Sequence, residues 1–268
     1  MIATGSEDGT TQIWDTHTFR CRAYHILFGR IRHVKFSPNG RWLACMSDTY
    51  RGSILNTASG SLHISLGPHH SSRSYNCTLP IVLSAAISNT AFHPGSMCLA
   101  IAPWKGPTIN VIDIETGNTL LAWKGKGRES VGDISFSPDG RFILRVVDTT
   151  CHIWNASTGT GLFQLQGSQS QEPISKARFS PCGEYVACAS WNRPVHLWKT
   201  SDGSCLGTFS GNGGHIEFSP DGKTLSFADS DGRVYIRHMH DIIPPDDTRD
   251  NHSVIPSSAS LDASKPLR

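Results

Sequence analysis

The 268-residue chain contains no apolar run approaching the roughly 20 residues a membrane-spanning helix needs. Its first residues, Met1 to Asp8, lack the charged-then-apolar pattern of a secretory signal. Neither sign of charge dominates. Twenty-four Lys and Arg stand against 22 Asp and Glu, a formal net charge of +2, so neither a nucleic-acid nor an anionic-membrane footprint is expected. The eight cysteines include no Cys-x-x-Cys pair, and Cys45, Cys98 and Cys188 fall inside strand patterns. That is the setting of small core residues in a reducing compartment rather than of a disulfide framework. There is no Gly-x-Ser-x-Gly elbow, no Gly-rich phosphate loop before a helix and no His-Glu-x-x-His. The expectation is a cytoplasmic or nuclear protein with no cofactor and no metal.

What the chain does have is a repeat. Phe36-Ser37-Pro38-Asn39-Gly40, Phe136-Ser137-Pro138-Asp139-Gly140, Phe179-Ser180-Pro181-Cys182-Gly183 and Phe218-Ser219-Pro220-Asp221-Gly222 are copies of one turn, and Phe92-His93-Pro94-Gly95 is a decayed fifth. Proline presets the first corner, Asp or Asn tolerates the second, and Gly accepts positive φ before the chain reverses. Alternating segments flank each turn, as in Val34-Lys35-Phe36 and Trp42-Leu43-Ala44-Cys45, which predicts a hairpin. A polar turn and a third strand follow, ending near a landmark residue: Trp14, Leu55, Ile112, Trp154, Trp198 or Arg237. A weaker fourth strand comes after it. Phenylalanine and landmark are 18 to 20 residues apart in all five units. Successive landmarks are 39 to 44 residues apart, apart from one interval of 57. A four-stranded unit cannot bury both of its faces, so neighbours must stack, and radial stacking leaves only short protected edges.

On these residues the chain resembles the WD-repeat family of β-propellers, over residues 1–239. The matching pairs are Trp14-Asp15, Trp154-Asn155 and Trp198-Lys199, with Leu55-Asn56, Ile112-Asp113 and Arg237-His238 as degenerate equivalents. In that family a Trp, an Asp six residues earlier, a strand Ser or Thr and a loop His form a structural hydrogen-bond network. The resemblance places Asp8, Asp148 and Asp231 at the Asp position and Asn192 as a close substitute, while the Gly-His pair is missing. It implies an all-β propeller of about six blades, with units at 1–28, 29–66, 84–125, 129–167, 172–210 and 213–239. An insertion loop covers 67–83 and a disordered tail covers 240–268.

The first unit begins at its second strand and the last lacks its fourth, which predicts 22 strands. A closed six-blade ring would have 24 and a seven-blade ring 28. The alternatives are imperfect closure and a fragment of a longer propeller, and the strand count favours the fragment.

Binding is expected on loops carried by the rigid sheets. Three turns between second and third strands share a chemistry: Tyr50 with Arg51, Trp104 with Lys105, and Trp191 with Arg193. An aromatic beside a cation is enriched at binding hot spots and would suit a partner segment carrying acidic groups; alternatively, Trp104 and Trp191 pack on neighbouring blades. His69, His70 and Cys77 in the insertion lack established zinc spacing. Asn76, Asn155 and Asn251 head glycosylation sequons by coincidence, Asn155 in a structural turn. The resemblance implies a non-enzymatic scaffold presenting loops on one face to partner proteins or peptides. The alternatives are a propeller enzyme with its active site at the channel mouth, or a regulatory module cut from a longer multidomain protein.

Overall fold

The computed structural model describes residues 1–67, 79–82, 87–103, 108–124, 131–166, 173–190, 194–210, 214–229 and 231–243. Six sheets follow one another along the chain. Blade 1 contains β1 (Ile2–Gly5), β2 (Thr10–Trp14) and β3 (Cys21–Ile26). Blade 2 contains β4 (Ile31–Phe36), β5 (Trp42–Ser47), β6 (Gly52–Asn56), β7 (Leu62–Gly67) and β8 (Leu79–Val82). Blade 3 is built from β9 (Ile87–Phe92), β10 (Cys98–Pro103), β11 (Thr108–Asp113) and β12 (Thr119–Lys124). Blade 4 runs through β13 (Val131–Phe136), β14 (Phe142–Val147), β15 (Thr150–Asn155) and β16 (Gly161–Gln166). Blade 5 has β17 (Ile174–Phe179), β18 (Tyr185–Ser190), β19 (Val195–Lys199) and β20 (Cys205–Phe209). Blade 6 ends the series with β21 (Ile216–Phe218), β22 (Thr224–Ala228) and β23 (Val234–His238).

This is the propeller architecture the repeats imply, with partial first and last blades. Every landmark residue lies in the third strand of its unit: Trp14 in β2, Leu55 in β6, Ile112 in β11, Trp154 in β15, Trp198 in β19 and Arg237 in β23. Two features differ from the sequence expectation. Leu79–Val82, inside the interval read as an insertion, forms a strand parallel to β7, with Ile64 opposite Leu79. The outer edge of β7 offers unpaired backbone groups, and the returning chain pairs with them. Met239–Ile242, at the border of the expected tail, forms one short helical turn, α1, whose Met239 is buried against blade 6.

The recurring serine does more than shape its turn. Ser37 Oγ accepts the Trp42 N–H at 2.9 Å and donates to Asn39 Oδ1 at 2.7 Å. Ser137 makes the same pair of contacts with Phe142 N and Asp139, and Ser219 with Thr224 N and Asp221. One hydroxyl thus ties the turn to the next strand in several blades, and the following glycines take positive φ (70° at Gly40, 75° at Gly140) as such a turn requires.

Apolar residues on alternate strand positions fill each junction between blades. Ile54 and Ile64 meet Leu99 and Ile112 between blades 2 and 3. Ile153 and Leu165 meet Val186 and Cys188 between blades 4 and 5. Each fully buried Ile or Leu contributes about 1.5–3 kcal/mol, so the stacking of sheets is the main source of stability. First strands pack against one another across blade junctions, β9 with β13, β13 with β17 and β17 with β21, while β4 meets β1, the second strand of the first unit. At the two ends of the series the outward sheet faces stay open, with Tyr24 and Ile26 exposed on blade 1 and Val234 and Ile236 on blade 6.

Candidate functional site

Antiparallel order puts the start of each first strand and the turn between its second and third strands at one end of the sheet. That end is the upper face of the disc, and Tyr50-Arg51 lies there. The turn after β5 is clamped onto the linker from blade 1: Asp48 N donates to Arg30 O at 2.9 Å, Arg30 N to Asp48 Oδ1 at 3.0 Å, and Thr49 Oγ1 to Phe28 O at 2.7 Å. Tyr50 follows at φ 62°, and its carbonyl accepts the Ile87 N–H at the start of blade 3. The clamp sets the Arg51 guanidinium 5.4 Å above the ring of Phe28, which is itself exposed. An aromatic–cation pair, Arg51 over Phe28, therefore sits where three blades meet, beside Tyr50. Trp104, Lys105, Trp191 and Arg193 lie outside the described residues, as do His69, His70 and Cys77.

The residues assigned to structural networks have varied surroundings. Trp14 Nε1 donates to Thr4 Oγ1 at 3.0 Å, linking the third and second strands of blade 1. Asp8 accepts from Thr10 through both its backbone N–H (2.8 Å) and its hydroxyl (2.7 Å), and these bonds lower its pKa. Trp154 packs against the core between blades 3 and 4 and stacks on Trp123 with centroids 6.2 Å apart, its Nε1 having no partner among the described residues. Trp198 packs into the next core. Asp148 takes positive φ (46°), and its carbonyl accepts the Ile174 N–H. Asp231 pairs with Arg233 at 3.4 Å. Asn192 lies outside the described residues. Asn155 Oδ1 caps its own turn by accepting from Ser157 N and Thr158 N.

A second polar feature runs through the channel. Asn89 Nδ2 of blade 3 donates to Asp133 Oδ1 of blade 4 at 3.0 Å. Arg178 Nη1 of blade 5 donates to Asp133 Oδ2 at 2.6 Å, and its Nε lies 3.6 Å from Glu217 of blade 6. Four blades are thus joined by one chain of polar contacts along their first strands. Lys35 of blade 2 completes the circuit electrostatically. Its side chain is open to the channel yet surrounded by protein, and this desolvation, with Arg178 and Lys176 close by, lowers its pKa against the pull of Asp133 and Glu217. Desolvation and then Lys176 lower the pKa of His33 similarly. A cleft of about 260 Å³ opens beside Lys176, Arg178, His215 and Glu217.

These channel residues were not singled out from the sequence, although a signal was present. They occupy positions one and three before the repeat phenylalanine: Lys35 and His33, Asn89, Asp133, Arg178 and Lys176, Glu217 and His215. Alternation alone puts both positions on the same side of a first strand. Among the described residues, no three His, Cys, Asp or Glu side chains gather closely enough to hold a metal ion, and no helix is long and apolar enough to cross a membrane.

A family model for the WD domain, G-beta repeat, matches residues 21–50, 117–155 and 159–199. The chain is similar to Protein hir1 of Schizosaccharomyces pombe, 24% identical over 253 residues, covering 84% of this chain and 22% of that protein. It is similar to Nuclear distribution protein PAC1 of Arthroderma otae, 26% identical, covering 87% of this chain and 55% of the relative. A third relative is Eukaryotic translation initiation factor 3 subunit I of Candida glabrata, 21% identical, with 88% of this chain and 73% of that protein covered. The chain therefore spans about a fifth of the first of these proteins and about half of the second.

Proposed function

Because the chain belongs to the WD-repeat family, we propose that it is a non-enzymatic platform that holds partner proteins or peptides inside the cell, in cytoplasm or nucleus, against the propeller face carrying Tyr50 and Arg51. The observation that carries this reading is the Arg51–Phe28 pair, its ring exposed, held by the Asp48 and Thr49 clamp. A rigid apolar surface with a cation over it binds without first losing much side-chain entropy. In the sequence, Trp104 with Lys105 and Trp191 with Arg193 bring the same residue types to the segments between second and third strands of blades 3 and 5. One relative is by name a subunit of a larger factor, which fits a role in assembly.

The channel carboxylates favour this reading over an enzyme. Asp133, the shielded carboxylate, is bonded to Arg178 at 2.6 Å and holds blades 4 and 5 together, while Glu217 is exposed and 3.6 Å from the same guanidinium. The test is capture of partners by the full chain and by a Tyr50→Ala, Arg51→Ala variant with an unchanged unfolding midpoint. Loss of partners is expected, and an unchanged set would overturn the assignment of this face.

A further inference from the structure

We propose that Cys151 and Cys188 are a redox-sensitive pair that closes to a disulfide when hydrogen peroxide reaches it, stapling blade 4 to blade 5. The inference is independent of which partners the upper face holds.

The two thiols come from different sheets. Cys151 lies on β15, the third strand of blade 4, and Cys188 on β18, the second strand of blade 5. Their Sγ atoms are 3.1 Å apart, about 1 Å more than the ~2.05 Å of a disulfide bond. Among the described residues no other two cysteine sulfurs meet. Each strand is paired on both sides, with Cys151 opposite Val146 and Leu165, and Cys188 opposite Ala177 and His196. Neither backbone is free to swing away, so closing the bond falls to side-chain rotation and a small approach of the sheets. Ala177, the cross-strand neighbour of Cys188 in the same core, is too small to stand in the way.

Burial decides which oxidant acts. Cys151 is 0% and Cys188 3% exposed, which shuts out bulky reagents but not a peroxide little larger than water. One sulfur attacks the peroxide O–O bond, giving a sulfenic acid and one water. The second sulfur then forms the S–S bond and displaces the sulfenic hydroxyl as a second water. The thiols lose two electrons and two protons, and the peroxide takes both. Burial raises the Cys151 pKa, so its thiolate is scarce and the pair stays reduced unless the oxidant persists. The two residues are 37 apart in sequence, so the bond closes a long loop in the unfolded chain and favours the folded one. It adds a covalent tie to the junction that Arg178 and Asp133 cross at the channel.

The experiment treats the folded, reduced full chain with hydrogen peroxide and removes the excess with catalase. Free thiols are then blocked with iodoacetamide in urea, and peptides of the monomeric fraction are mapped without reductant. A peptide pair linked through Cys151 and Cys188 is expected, and dithiothreitol should separate it. The oxidised chain should unfold about 5–10 °C higher than the reduced one, and reductant should restore the lower midpoint. Cys151→Ala should show no rise with peroxide, whereas Cys182→Ala, at an exposed turn, should keep both the link and the rise. The proposal is overturned if Cys151 and Cys188 are recovered alkylated or as sulfinic acids in place of the link, or if the linked chain unfolds no higher. The mapping is read on the unaltered chain, so it decides the matter even where Cys151→Ala fails to fold.

Discussion

Arg178 of blade 5 donates through Nη1 to Asp133 of blade 4 at 2.6 Å, and both side chains are largely shielded from water, at 28% and 11% exposure. The pair crosses a blade junction at its innermost point, and Asn89 and Glu217 extend it to both sides. Removing one partner leaves a charge in the channel wall without its counterpart. Arg178→Met should destabilise the protein by roughly 2–3 kcal/mol, less than a fully buried pair because water reaches part of the guanidinium. Adding Asp133→Asn to that variant should recover part of the loss. Urea unfolding of the two single variants and the double variant measures the coupling.

Phe19 should be replaceable with profit. It has φ 53° and is 80% exposed, and its N–H bonds to Asp15 O. In the other complete third-to-fourth strand turns that position is Gly60, Gly117, Gly159 or Gly203, each with the same i to i−4 bond. A left-handed conformation costs a residue with a Cβ about 1–2 kcal/mol. Phe19→Gly should therefore stabilise the chain by about 1 kcal/mol, read as a rise in the thermal midpoint. A fall would mean that the exposed ring packs in solution.

Thiol reactivity should divide by burial. Cys21, Cys182 and Cys205 are exposed. Burial pushes the Cys45 thiol up to about 12, and burial with the Cys188 thiol 3.1 Å away raises Cys151 well above its usual value. Alkylation of the native protein at pH 8, followed by peptide mass mapping, should label the three exposed thiols and spare Cys45 and Cys151 until denaturant is added. Early labelling of Cys151 would show that the junction between blades 4 and 5 opens readily.

Mild acid should weaken the fold through histidine. Burial lowers the pKa values of His25, His152 and His196 below the ordinary 6.5. Above that pH both folded and unfolded chains hold these rings neutral, and stability is undiminished. As pH falls below 6.5 the unfolded chain binds protons first, so stability drops until the folded-state values are reached. The urea midpoint should fall between pH 7.5 and 5.5, and His25→Gln, which can still reach Ser53, should reduce the slope.

The sequence carried the architecture because its repeats are local. The serine of each Phe-Ser-Pro turn bonds within five residues of itself, so its role shows in any one copy. The channel was harder to see. Asn89, Asp133 and Arg178 meet across separations of 44 and 45 residues, and each alone reads as the polar member of an alternating strand. Only the curvature of stacked sheets brings them together. Strand β8 has no hairpin to announce it, and its parallel register depends on an open edge of β7. The strain at Phe19 was visible in principle, as the one turn of its kind without glycine.

The most direct test of the account is quantitative affinity capture from cell extract with three forms of the full chain: unaltered, Tyr50→Ala with Arg51→Ala, and Phe19→Gly at the opposite end of the sheets. The account predicts that the Tyr50, Arg51 variant loses proteins that the other two retain. Identical protein sets from all three would contradict it.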